Sequence, residues 1–277
     1  MAREVLVLKK KNQIIVPLVC LLFISAACFS AFKVYSIQHG YHQAKETYDA
    51  ISSEYVIVEE INSTSDPEAQ ASLVGDSMEK KSKALEPSPL KVNFSELLRD
   101  TNPEIVAWIW CPDTVINYPV AQHADNIFYL NADIRGDPSS NGAIFLEYAN
   151  FKDFSDRNSI MHGHHMNDGS MFATLSEWQQ ADYCTEHPVL YLNTVYGGNY
   201  KIEVLAAFTT TANSEAFRFE FDGNNDFMRW VSWLDSQSLI HPELRLSSSD
   251  RFITLSTCAY SSEDSRTVLV GRMVQMA

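Results

Sequence analysis

The amino-acid sequence predicts a mostly-β fold, in which a closed barrel with a few peripheral helices follows an N-terminal transmembrane helix. Short apolar runs rich in β-branched and aromatic residues recur after residue 90, as is typical of strands. The segment Tyr196-Gly-Gly-Asn199 joins two of these runs and is a strong hairpin signal. Helical patterns are few, and the clearest is the amphipathic stretch Asn225–Gln237.

The strands and helices of the folded part are predicted from residue 91 to residue 277. Asn93 has the side chain of a helix N-cap, because Glu96 follows three residues later. The predicted helices are Phe94–Arg99, Asp125–Leu130, Met171–Gln179 and Asn225–Gln237. The predicted strands are Ile105–Trp110, Val115–Val120, Ala143–Leu146, Ser159–His162, Val189–Thr194 and Tyr200–Thr209, followed by two terminal strands that carry Cys258 and Arg266.

The apolar run at residues 14–32 contains no charged residue and, at 19 residues, is long enough to span a membrane. Lys9, Lys10 and Lys11 stand directly before it. This charge bias predicts that residues 1–13 are cytoplasmic and that the rest of the chain is extracellular. A cleaved signal peptide is the alternative, with small residues at Ser25-Ala-Ala27, but the length of the apolar run favours a retained anchor.

The region between this anchor and the folded domain divides in two. Residues 33–61 carry apolar and aromatic residues at helical spacing and are predicted to form a juxtamembrane segment that could be helical. Residues 62–90 are rich in Ser, Thr, Asp, Glu and Lys, and such a composition offers little apolar surface to bury. We therefore expect residues 62–90 to be a flexible polar stalk.

Charge and cysteine content narrow the classes of function. The formal net charge is −14, and an acidic chain repels phosphate backbones, which argues against a nucleic-acid partner. None of the five cysteines forms a CxxC pair, so zinc-ribbon and thioredoxin-like readings lack support. Cys111 and Cys184 could pair or stay free. Cys258 is the odd thiol, which suits a reactive role.

The C-terminal region brings a thiol and a guanidinium together. The apolar run Phe252–Leu255 predicts a buried strand that ends on Cys258. A short acidic loop leads to Arg266, which begins a second apolar run. Two strands joined by a short loop hold Cys258 and Arg266 at the same end of a sheet. Arg272 is the competing arginine, but it lies toward the far end of its strand.

A base for the thiol is available in the segment Ile160–Met166. Because side chains alternate along an extended chain, His162 and His164 share a face and His165 points the other way. Three histidines so close in sequence are also the pattern of a zinc site, for which Asp168 is the only nearby candidate as fourth ligand. The alternative to a nucleophilic role is that Cys258 is a buried structural cysteine.

Motifs at separated places resemble the signature of the sortases, specifically class B. They are Thr254-Leu-Ser-Thr-Cys258 with Arg266 eight residues later, Gly163-His164 followed by Met171-Phe172, Asn102–Ile109, Ile116–Val120 and Gly142–Leu146. The resemblance runs from about residue 94 to the end. It implies a closed sortase-type β-barrel at residues 91–277.

The resemblance also implies catalytic roles. Cys258 takes the position of the nucleophile, His164 that of the catalytic histidine, and Arg266 that of the arginine that stabilises the oxyanion. Ser256, Thr257 and Tyr260 neighbour the thiol and are the predicted substrate-binding residues. Which residue orients His164 is left open. No metal and no other cofactor is implied.

The implied function is a membrane-anchored cysteine transpeptidase. It cleaves the C-terminal sorting signal of a secreted protein, of an NPxTx-like sequence, through a thioacyl intermediate. It then transfers that protein to an amine on a peptidoglycan precursor or on a pilin lysine. A Cys-His peptidase that acts mainly by hydrolysis is the main alternative. A non-catalytic surface interaction domain is the second, and the joint presence of Cys258, His164 and Arg266 argues against it.

Overall fold

The computed structural model describes residues 2–59, 85–258 and 264–277, with the side chains of residues 2–18 and of Cys258 outside the description. The chain divides into two compact units, Met1–Glu46 and Thr47–Ala277. The first unit lies within the long helix α1 (Ala2–Tyr55). The segment Val19–Tyr55 of this helix contains an apolar stretch of 18 residues that is long enough to cross a membrane, by length and composition alone.

The second unit begins before residue 91, the start predicted for the folded domain. Tyr48, Ile51 and Tyr55 repeat at helical spacing on the last turns of α1, and all three are buried. Strand β1 (Val56–Val58) then pairs antiparallel with β2 (Leu90–Val92). The end of α1 and Leu90, the last residue of the predicted stalk, are buried and belong to the compact unit. Residues 62–84 of that stalk lie outside the described residues.

A closed eight-stranded barrel forms the centre of the second unit, and the predicted fold class is confirmed. Around the barrel the strands follow the order β10-β8-β7-β3-β4-β5-β6-β9. Most neighbours are antiparallel, but β4–β5 and β6–β9 are parallel. The strands are β3 (Ile105–Trp110), β4 (Asn117–Ala121), β5 (Ile144–Leu146), β6 (Asn158–His162), β7 (Val189–Thr194), β8 (Asn199–Thr211), β9 (Arg251–Cys258) and β10 (Ser265–Met276).

The helices around the barrel are short, apart from the last. In the described part of the chain they are α2 (Phe94–Asp100), α3 (Phe128–Asn131), α4 (Ala181–Glu186), α5 (Gly223–Gln237) and the 3₁₀ helices Ala173–Gln179 and Glu215–Phe217. The helix predicted at Asp125–Leu130 is reduced to α3, because the Asp125 carboxylate accepts the backbone N–H groups of Ile127 and Phe128 in a turn. The helix predicted from Met171 starts later, because Met171 has a φ of 55°.

Helix α5 packs its predicted apolar face onto the barrel. Phe227, Trp230 and Leu234 are at most 2% exposed, and they form one cluster with Phe252 of β9. Each fully buried side chain of this size stabilises the fold by about 1.5–3 kcal/mol. The helix therefore holds the beginning of the strand that ends at Cys258.

Strand β10 pairs with β8 along its whole length, with an irregularity between Val270 and Gly271. A Cβ atom on Gly271 would overlap the Ile202 side chain and lie 3.1 Å from the Glu203 carbonyl oxygen. The close approach of β8 and β10 thus requires glycine at this position.

We predict that Gly271→Ala lowers the free energy of unfolding by about 1–3 kcal/mol, because the added methyl group forces β8 and β10 apart. Urea denaturation measures this change. Gln275→Ala, an exposed position of the same strand, is the matched control and should change stability by less than about 0.5 kcal/mol. Equal midpoints for the two variants would contradict the packing argument.

Candidate active site

Strand register brings three segments together at one end of the barrel. In the parallel pair of β6 and β9, His162 lies opposite Ser256, and the Gly163 N–H continues the ladder by donating to the Ser256 carbonyl at 3.0 Å. Two residues beyond this pair, the chain that leaves β6 reaches His164, and β9 reaches Cys258. In the antiparallel pair of β9 and β10, Cys258 lies opposite Arg266.

A cavity of about 340 Å³ opens at this end of the barrel. Four of the residues predicted for the site line it: His164, Ser256, Thr257 and Arg266. Ser256 and Thr257 are each only 2% exposed, so they contribute to its floor. The structure thus gathers these four residues around one concave site. Tyr260 and the side chain of Cys258 lie outside the described part of the chain.

The His164 imidazole is held by a backbone carbonyl. Its Nε2 atom lies 2.7 Å from the carbonyl oxygen of Leu130, a residue of α3. A carbonyl oxygen only accepts hydrogen bonds, so Nε2 carries a proton and donates it. Nδ1 is therefore the atom at which the ring gains or loses a proton. The orienting group left open by the sequence is this main-chain oxygen.

The backbone before His164 is packed too tightly for any residue larger than glycine. A Cβ atom on Gly163 would lie 2.5 Å from Ile144 Cδ1 and 2.7 Å from Phe172 Cδ2. After His164 the chain is fixed by the Phe172 N–H, which donates to the His164 carbonyl at 3.1 Å. The histidine thus sits on a rigid segment.

The two candidate arginines lie six residues apart on β10, Arg266 at its start and Arg272 toward its far end. Arg266 is half-buried, and its Nη1 donates to the Ser265 carbonyl at 3.0 Å. Arg272 lies opposite Phe252, near the start of β9, and is paired with the Glu203 carboxylate. Arg266 is thus the arginine at the cavity, as the sequence predicts.

Comparison with known proteins identifies the family. Residues 109–274 match the family model of the Sortase domain, which covers more than half of the chain. The chain belongs to the sortase family. Sortase B of Listeria monocytogenes is 35% identical over 179 residues, which is 64% of this chain and 72% of that protein.

Solved structures agree with this assignment. Sortase B from Bacillus anthracis superposes with a TM-score of 0.68 at 27% identity, covering 86% of this chain and 99% of that one. A Staphylococcus aureus sortase B–substrate complex gives a TM-score of 0.63 at 31% identity, covering 66% and 85%. The protein is a class B sortase, and its activity is that of a cysteine transpeptidase.

The sortase cavity also contains an acidic group that sequence reasoning missed. Glu147 Oε2 lies 3.1 Å from His162 Nε2 and accepts a hydrogen bond from Asn126 Nδ2 at 2.6 Å. All three residues line the cavity. Burial alone would raise the pKa of Glu147, but the hydrogen bonds from His162 and Asn126 lower it below its ordinary value of 4.5. Glu147 and His162 come together through the pairing of β5 with β6, and the sequence does not predict this pairing.

His165, the third histidine of the segment Ile160–Met166, does not line this cavity. His165 lines a separate hollow with Met166 and Glu177, and burial lowers its pKa. Among the described residues, no group of three His, Cys, Asp or Glu side chains could hold a metal ion. Asp168, the fourth zinc ligand considered from the sequence, accepts hydrogen bonds from Ser170.

Cys111 and Cys184 are both free thiols. Cys111 is fully buried, and its Sγ lies 3.5 Å from the Val189 carbonyl oxygen. Burial raises the pKa of Cys111 to about 12 and also raises that of Cys184. Both side chains are therefore protonated and poorly nucleophilic at neutral pH.

We predict that Glu147→Gln removes an acid-sensitive part of the stability. The folded-state pKa of Glu147 is lowered, so its contribution is complete above pH 4.5 and disappears as the pH falls through that lower pKa. The difference in unfolding free energy between wild type and variant should therefore shrink in acid. Urea titrations across the acidic range measure it.

Glu177→Gln, at an exposed position, is the control for the loss of one carboxylate charge. A wild-type advantage over Glu147→Gln that is the same at every pH would contradict the role given to the Glu147 carboxylate.

Proposed function

We propose that Cys258, His164 and Arg266 are the catalytic residues of this sortase. The observation that carries the proposal is the strand register, which aligns Cys258 with Arg266 and brings the β6 segment to His164 beside the same cavity. A thiol, an imidazole and a guanidinium at one concave site are the groups that acyl transfer requires.

The proposed reaction begins with the Cys258 thiolate. It attacks a backbone carbonyl of the sorting signal, and the charge that develops on the carbonyl oxygen is stabilised by the Arg266 guanidinium. His164, as imidazolium, donates the proton on Nδ1 to the departing amine as the peptide bond breaks. The thioacyl enzyme is then attacked by an acceptor amine, which loses its proton to His164 and releases Cys258 as thiolate.

The sorting signal is proposed to be an NPxTx-like pentapeptide bound along the cavity, with Ser256, Thr257 and Tyr260 as contacts. Ser256 and Thr257 form part of the cavity floor beside Arg266. The Thr257 hydroxyl is buried and has no hydrogen-bond partner among the described residues, which supports a contact with a bound peptide.

The acceptor is proposed to be an amine of a peptidoglycan precursor, in keeping with the cell-wall setting of Gram-positive sortases. A pilin lysine is the second candidate. Residues 14–32 are proposed to anchor the enzyme, with residues 1–13 in the cytoplasm and the catalytic domain outside the cell. The lysines before the apolar run support this orientation.

We predict that Cys258→Ala abolishes cleavage of an NPxTx peptide by the full-length protein in detergent, because no nucleophile remains. His164→Ala should lower kcat by about 10²–10⁴-fold through the loss of general acid–base catalysis. Arg266→Ala should lower kcat by about 10²–10³-fold through the loss of oxyanion stabilisation. Cleavage of a fluorogenic peptide measures all three.

Arg272→Ala, the matched control further along β10, should keep its kcat. Adding an amine acceptor to the wild-type reaction should divert product from hydrolysis to ligation, which separates a transpeptidase from a simple peptidase. Turnover by Cys258→Ala would refute the assignment of the nucleophile.

A further inference from the structure

We propose that Tyr48, on the last turns of α1, is a positioning residue for His164, so that this residue of the helix belongs to the catalytic unit. The inference rests on the proposed role of His164. Tyr48 lies in the same compact unit as the barrel and is only 4% exposed. It acts on His164 through two neighbours, Gly142 and Tyr118.

The first contact is with the loop before β5. The Tyr48 hydroxyl donates a hydrogen bond to the Gly142 carbonyl oxygen at 3.2 Å. Gly142 lies two residues before β5, so this buried hydroxyl holds the end of the loop that joins α3 to β5. A buried hydroxyl that satisfies a main-chain group fixes the position of that group.

Gly142 in turn forms the wall against which the His164 ring lies. A Cβ atom on Gly142 would be 2.8 Å from His164 Cδ2 and 3.1 Å from Nε2, the atom that donates to Leu130. It would also be 2.6 Å from the carbonyl oxygen of Tyr129, the residue before Leu130. Gly142 has a φ of 59°, which few other residues adopt. A small displacement of Gly142 therefore moves both the His164 ring and the Leu130 segment that accepts its hydrogen bond.

The second contact supports the other side of the histidine segment. Tyr48 and Tyr118 meet edge to face, with ring centroids 5.3 Å apart. The Tyr118 hydroxyl accepts the Met171 N–H at 3.0 Å. Met171 directly precedes Phe172, whose N–H donates to the His164 carbonyl. Tyr48 therefore contacts both structures that hold His164, one at the ring and one at the backbone.

The test compares Tyr48→Phe with Tyr55→Phe in the full-length protein. Both changes keep a buried ring on the same face of α1 and remove one hydroxyl, but the structure gives the Tyr55 hydroxyl no contact with Gly142. Tyr48→Phe should lower kcat for an NPxTx peptide roughly tenfold, because a misplaced catalytic group loses rate, with KM changed by less than about threefold. Tyr55→Phe should match wild type in both constants.

Two further readouts separate positioning from general destabilisation. The pH profile of kcat/KM reports the protonation of the essential groups and should shift in Tyr48→Phe alone. The imidazole nitrogen NMR signals of His164, assigned by their loss in His164→Ala, should also move in Tyr48→Phe alone. Thermal unfolding of both variants provides the correction for any inactive fraction.

Unchanged kcat, pH profile and imidazole signals in Tyr48→Phe would overturn the inference. Equal changes in Tyr48→Phe and Tyr55→Phe would also overturn it, because they would reflect stability alone. His164→Ala, assayed beside them, keeps the two proposals apart. If His164→Ala turns over like wild type, the proposed function fails. If it is inactive while Tyr48→Phe behaves as wild type, only the role of Tyr48 fails.

Discussion

The parallel pairing of β6 with β9 is the constraint on which the candidate site depends. These two strands are separated by almost a hundred residues of sequence, yet their ladder sets His162 opposite Ser256 and leads both chains to the same end of the barrel. Because side chains alternate along a strand, a slip of one residue would turn the site residues away from the cavity. The antiparallel pairing of β9 with β10 adds Arg266 to the same place. The geometry of the candidate site in this sortase is thus a consequence of register in a closed sheet.

The groups that orient the site are mostly main-chain atoms. The His164 ring donates its hydrogen bond to the Leu130 carbonyl, which is a neutral main-chain group. A neutral acceptor fixes the ring nitrogen that carries the proton without adding a full negative charge beside the imidazolium. The carboxylate of the cavity, Glu147, pairs instead with His162. The hydrogen bonds of the cavity therefore keep the Glu147 carboxylate on His162 and leave His164, the group proposed for proton transfer, on a neutral acceptor.

Much of the fold follows from local patterns, and β3 and β7 have the bounds that the sequence predicts. The proximity of Cys258 and Arg266 also follows from sequence, because a short loop joins their strands. What escapes prediction depends on long-range or backbone geometry. A carbonyl acceptor such as that of Leu130 has no signature in the residue type. Tyr48 and Gly142 lie 94 residues apart, and their contact depends on a positive φ that only the folded loop defines.

The central claim, that Cys258 is the thiol served by His164 and Arg266, is tested most directly by peptide mapping of the enzyme during turnover. Full-length protein incubated with an NPxTx peptide, without an acceptor amine, should carry the acyl group on the peptide that contains Cys258. An added amine should remove it. An adduct on Cys111 or Cys184, or turnover without any acylated cysteine, would contradict the account.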